Sequence, residues 1–187
     1  MLKRLLVIVL LLSPAVAWAL YKPIRVVAPQ LVSAVSCNTK TICLDDTARF
    51  DEAQHLYNEA LRFVESSVAS VKNKPRVIFC STEACYQSFG FVRSSASIVG
   101  TLGIVVSPRG WDQYRLRHEM IHHVQAERLG MYRQWGTPVW FKEGMAYSLS
   151  EDPRAKLTEP FQQYRARFEQ WYRSVGRKRL WAEAKKL

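Results

Sequence analysis

His118-Glu119-Met120-Ile121-His122 is the segment of this chain whose residue types and spacing can do chemistry. On an α-helix, residues four apart share a face one turn apart. Two imidazoles stacked in that way reach a single ion at about 2.0–2.1 Å. Glu119 lies about 100° around the helix from His118, beside such an ion rather than on it. A carboxylate in that position takes a proton from an attacking water. With four His and eleven Glu in 187 residues, an H-E-x-x-H match arises by chance about 0.005 times. The competing reading is a solvated polar helix face.

A catalytic zinc needs a third protein ligand and an open position. The metzincin extension would place glycine at 125 and histidine at 128; Gln125 and Arg128 stand there, so that pattern is absent. The inverted order H-x-x-E-H does not describe these residues either. Three glutamates lie in reach: Glu127, Glu143 and Glu151. Glu127 shares the helix and pairs by spacing with His123, away from the His118/His122 face. Glu143 lies one and a half turns into a following helix, after a connection of twenty residues from His122. That is long enough to finish one helix and bring a second alongside. Glu151, at the tail of that second helix, reads as surface.

Trp140-Phe141-Lys142-Glu143-Gly144-Met145-Ala146 resembles the W-x-x-E-G-x-A segment that follows H-E-x-x-H in gluzincin metallopeptidases. The resemblance covers about residues 111–150. It implies His118, His122 and Glu143 as ligands of one Zn²⁺, Glu119 as the general base, and a peptide or protein substrate. It also implies a zincin-like domain with a short β-sheet above the active-site helix. Gly144 and Ala146 would let the glutamate helix pack closely on the metal helix. The chain lacks the length for the extra domains of the large aminopeptidases. Tyr147, one turn after Glu143, is a candidate transition-state donor, a supporting residue or a core tyrosine. Arg109, Tyr114 and Tyr132 are weaker candidates, His123 a surface or supporting residue, and His55 structural. A descendant that keeps the metal scaffold without turnover, a non-catalytic envelope protein, is the alternative; the presence of Glu119 favours the enzyme.

The elements that must hold these residues follow from periodicity. Residues 20–44 read as irregular. Asp45-Asp46 opens a helix to about Val71, with Phe50, Ala53, Tyr57, Ala60, Leu61, Val64 and Val68 on one face. Arg76–Cys80 reads as a strand, Thr82–Phe89 as a short helix ending at Gly90, and Ser97–Val106 as β-rich with a bend. Trp111–Leu129 is helical and stops at Gly130. Thr137-Pro138 is an N-cap with a first-turn proline, opening a helix to about Ser150. A last helix begins near Pro160 and is interrupted at Gly176. This order predicts an α+β domain with a helical C-terminal part. Gly103–Ser107, just before the metal helix, is the expected edge for an added substrate strand.

Composition sets the compartment. The chain is 48% hydrophobic and 23% charged, which excludes wholesale disorder. Its net charge of +11 suits an anionic partner. Met1-Leu2-Lys3-Arg4, the apolar run Leu5–Leu12 and the small residues Ala17 and Ala19 have the layout of an export signal, 1–19, with an uncleaved anchor as the alternative. A single domain over 20–187 then faces the periplasm or the outside. Export turns the charge toward an anionic membrane surface, and no nucleic-acid partner is expected. All four cysteines follow the signal and read as two disulfides. Three pairings are open; the local ones, Cys37–Cys43 and Cys80–Cys85, are favoured by the tight turn inside each. Residues 154–187 carry ten basic and three acidic side chains interleaved with Trp171, Tyr172, Leu180 and Trp181. Two readings fit that tail: an interfacial helix on anionic lipid, or a basic face over an aromatic stripe packed on the core.

Overall fold

A computed structural model describes residues 22–32 and 34–187. The proposed export signal at 1–19 lies outside the described residues. Seven helices and five strands occur among those described: α1 (Lys22–Val27), β1 (Ser36–Cys37), β2 (Ile42–Leu44), α2 (Phe50–Ser67), β3 (Val77–Phe79), α3 (Glu83–Ser88), β4 (Ala96–Val99), β5 (Gly103–Val106), α4 (Gln113–Leu129), α5 (Met131–Gly136), α6 (Val139–Leu149) and α7 (Phe161–Ala184). The fold is mixed α+β with a helical C-terminal part, as the periodicity predicts. None of the described helices is long and apolar enough to cross a membrane.

The strands form one sheet in the order β1-β2-β3-β5-β4. β2, β3 and β5 are parallel; β1 and β4 add antiparallel at the two edges. Strand side chains alternate between faces. Ile42, Leu44, Val77, Phe79, Ile104 and Val106 enter the main core with α2, α4, α6 and α7. Cys43, Ile78, Cys80 and Val105 enter a second, smaller core with Val26, Tyr86 and Phe89. The two disulfides, Cys37–Cys43 and Cys80–Cys85, join the expected local partners. Both lie away from the face that holds α4.

Several boundaries differ from the sequence expectation. Residues 22–44 are not irregular: α1, a 3₁₀ turn, β1 and β2 lie there, each too short to show periodicity. α2 stops at Ser67 rather than near Val71. The Glu127 carboxylate accepts the N–H groups of Lys72 (2.9 Å) and Asn73 (2.7 Å), which pulls that stretch off the helix axis. Asp46 caps a 3₁₀ turn that runs into α2, accepting from the Ala48 N–H at 3.1 Å. Thr137 does not cap α6. Its hydroxyl donates back to the Arg133 carbonyl at 3.0 Å, and Pro138 stands at the cap position.

The β4–β5 hairpin turns at Gly100, whose φ of 54° favours glycine. β5 pairs with β3 on one side and β4 on the other, so Gly103–Ser107 is not an edge. The edge on this side is β4. Strand order is a tertiary property, and sequence proximity to α4 does not report it.

α7 covers α6. Phe141 of α6 meets Phe168 at 5.8 Å and Trp171 at 5.3 Å between ring centroids. Trp171, Tyr172 and Trp181 pack against the main core and Leu180 is buried, while Arg167, Arg173, Arg177, Lys178 and Arg179 are exposed. The aromatic stripe of the tail is therefore core, and the tail presents charge to solvent. Gly176 (φ 71°) kinks α7. Gly144 faces α7 rather than α4: a Cβ there would lie 2.2 Å from the Tyr164 carbonyl oxygen and 2.7 Å from the Phe168 Cβ.

Candidate metal centre

α4 carries His118, Glu119 and His122; α6 crosses it and carries Glu143. Gly130 (φ 85°) ends α4, and α5 turns the chain so that α6 comes back alongside. The α4 backbone is held at its other side by Arg117, which pairs with Glu59 on α2 and with Glu151 at 2.9 Å. Glu151 is largely exposed, as read from its place in the sequence.

The three expected ligands converge. His118 Nε2 lies 3.1 Å from His122 Nε2. Glu143 Oε2 is 3.7 Å from His118 Nε2, and Glu143 Oε1 is 3.6 Å from His122 Nε2. One ligand atom from each residue falls within 4.8 Å of the others. Tetrahedral bonds of about 2.0–2.1 Å set ligand atoms about 3.3 Å apart. The two imidazole nitrogens stand just under that spacing and each lies just over it from a different oxygen of Glu143, so the donor set is of a size and chemistry that suits a small divalent cation.

Gln125 completes the fit, and no local pattern in the sequence marks it for this role. It is fully buried. Its Nε2 donates to the Lys142 carbonyl at 2.9 Å, which turns Oε1 toward His122 Nδ1, also at 2.9 Å. An amide oxygen only accepts, so His122 Nδ1 carries the proton and Nε2 keeps its lone pair for the centre. The same amide ties α4 to the backbone next to Glu143.

The charges are coupled. Burial alone would raise the Glu143 carboxyl, but the His118 and His122 imidazoles outweigh it and hold it well below the usual carboxylate range. Burial opposes protonation of His122; the Glu143 carboxylate outweighs that and raises the imidazole above its ordinary value. Burial, then the Glu143 charge, pushes the Tyr147 phenol up, so it stays a neutral donor. The Tyr147 ring packs on His118 at 4.4 Å.

A cavity of about 710 Å³ opens over the triad and is lined also by Glu119, Tyr114, Tyr147 and Arg154. Glu119 thus lines the same cavity as His118, His122 and Glu143. The buried Asp152 accepts from Arg154 Nε at 2.9 Å and fixes that guanidinium at the cavity wall.

Other sequence candidates fall elsewhere. Arg109 is engaged with Glu83 at 3.2 Å and with the Val92 carbonyl at 3.1 Å. Tyr132 is 84% exposed and lines neither cavity at the triad. His55 is exposed on α2 rather than structural. His123 is buried, not on the surface: its Nε2 donates to the Asn73 carbonyl at 2.7 Å, with Glu127 at 3.5 Å. This second imidazole–carboxylate pair supports the α2–β3 connection and does not reach the triad.

Comparison with protein-family models, with curated proteins and with solved structures finds no match to this chain.

Proposed function

We propose that the chain is an exported zinc-dependent metallopeptidase of gluzincin type. The observation that carries this reading is the meeting of His118, His122 and Glu143 in a cavity that also receives Glu119. Zinc held by two neutral imidazoles and a carboxylate supplies Lewis-acid polarisation of a carbonyl and lowers the pKa of water.

The chain's own residues do the rest. Glu119 accepts a proton from the attacking water and passes it to the leaving nitrogen. The balance is that of hydrolysis: a C–O bond forms, the amide C–N bond breaks, and a carboxylate and an amine leave. Tyr147, neutral and against His118, donates a hydrogen bond to the oxygen on which charge develops. β4 offers the substrate a backbone partner. Ser107 N–H bonds to the Ser95 carbonyl, so by antiparallel alternation Ser97 and Val99 face β5 while Ala96 and Ile98 turn their N–H and C=O groups outward. An extended peptide pairs with those groups.

Two disulfides fit an oxidising compartment. The exposed basic residues of α7 fit contact with an anionic membrane surface.

The test is a peptide-library digest by the zinc-loaded protein, wild type against Glu119→Gln. The expected result is hydrolysis by the wild type and none by the variant, with zinc content equal in both. Equal hydrolysis by the two proteins would move the base elsewhere.

A further inference from the structure

The cavity over the triad does not end at the metal ligands. A second cavity of about 220 Å³ continues from it and shares Ile98, His122 and Glu143 with the first. The order of residues along the β4 edge follows the order of the cavities. Ala96 and Ser97 line only the larger one, Ile98 lines both, and Gly100 only the smaller. The groove therefore runs parallel to the strand, and the triad lies beneath its middle. From Ala96 to Gly100 an extended chain covers about 13 Å at about 3.3 Å per residue. That accommodates about four residues of a paired peptide, placed on both sides of the triad.

The charged side chains that line the groove beside the triad are engaged with partners of their own. A free N-terminus needs an unengaged carboxylate. Glu143 faces the two imidazoles, Asp152 is bonded to Arg154, and Glu119 is assigned to proton transfer. A free C-terminus needs an unengaged cation close to the centre. Arg154 is bonded to Asp152, Arg115 is paired with Asp112 at 3.0 Å, and Lys142, which lines the smaller cavity, donates to the Gln134 carbonyl at 3.1 Å; Arg93, exposed, lines only the larger cavity, before the start of β4. The far end of the smaller cavity is walled by Trp135, which is 76% exposed. A flat indole there suits an apolar or aromatic side chain of a continuing peptide.

From this we infer that the groove takes an internal stretch of polypeptide and that the bond cut is internal, an endopeptidase geometry with an apolar side chain resting on Trp135. The inference rests on the hydrolytic reading above. Water adds across the internal amide, and each product keeps residues that were bound on its side of the triad.

The experiment uses two peptide pools of the same sequences, one with free ends and one acetylated and amidated. Each is digested by the zinc-loaded protein, with Glu119→Gln as the blank, and the cut sites are read by mass spectrometry. A binding measurement runs beside it: capture of the blocked pool on immobilised Glu119→Gln, compared with Glu119→Gln carrying Trp135→Ala. The expected results are cleavage of both pools at the same internal bonds and at least about a five-fold loss of captured peptide on removing the indole. Cleavage confined to the free-ended pool overturns the inference and leaves the hydrolytic reading intact. Cleavage of neither pool removes the hydrolytic reading; the groove then stands only if the blocked pool is still captured through Trp135, and falls if it is not.

Discussion

The Gln125 amide oxygen lies 2.9 Å from His122 Nδ1, and its nitrogen donates to the carbonyl of Lys142, the residue before Glu143. One buried side chain thus sets the tautomer of one proposed ligand and the position of another. Gln125→Leu removes both bonds without filling the site with charge. Zinc affinity is expected to fall about 10–100-fold, the usual loss when a partner of a ligating histidine is removed. Competition with a chromophoric chelator measures it. Affinity equal to wild type would deny Gln125 any role in holding the centre.

Zinc uptake is expected to release protons and to weaken in acid. Burial disfavours the His122 imidazolium, but Glu143 outweighs burial and raises the imidazole, so a proton competes with zinc already above the ordinary value of about 6.5. As pH falls through that window the imidazole fills with a proton and affinity drops; as pH rises above it affinity levels off. Titration calorimetry in two buffers of different ionisation enthalpy counts the protons. Uptake with no proton release between about pH 5.5 and 7 would contradict the coupling.

Gly144→Ala tests the packing that carries Glu143. The added methyl meets the Tyr164 carbonyl oxygen at 2.2 Å, and backbone does not yield as a flexible side chain does. A loss of about 3 kcal/mol is expected, with a fall in Tm on the order of 8 °C and weaker zinc binding as α6 moves off α7. Thermal unfolding followed by circular dichroism reads it. An unchanged Tm would mean that α6 and α7 are not in this contact.

Part of the triad is legible in the sequence because it is local. His118, Glu119 and His122 are fixed by helical period alone, and the paired cysteines by short turns. Glu143 needed its flanking Trp140 and Gly144 to stand out from Glu127 and Glu151, since nothing local says which glutamate a later helix will deliver. What stayed hidden depends on contacts between distant elements. Gln125 has meaning only once α6 is alongside. Gly144 is small for the sake of α7, not of α4. β4 rather than β5 is the edge because β5 inserts beside β3. His123 is buried because Asn73 and Glu127 come to meet it. Thr137 has the residue type of a cap, yet the turn before it supplies a nearer acceptor in the Arg133 carbonyl.

Two imidazoles of α4 and one carboxylate of α6 meet at one point, and a single zinc ion is proposed to be held there. X-ray absorption at the zinc edge, on protein whose metal content has been counted, tests it most directly. The expected result is one zinc per chain with nitrogen and oxygen neighbours at about 2.0–2.1 Å and no sulfur, and loss of the ion in His118→Ala and in Glu143→Ala. Sulfur in the coordination shell, or full zinc with an unaltered spectrum in Glu143→Ala, would contradict it.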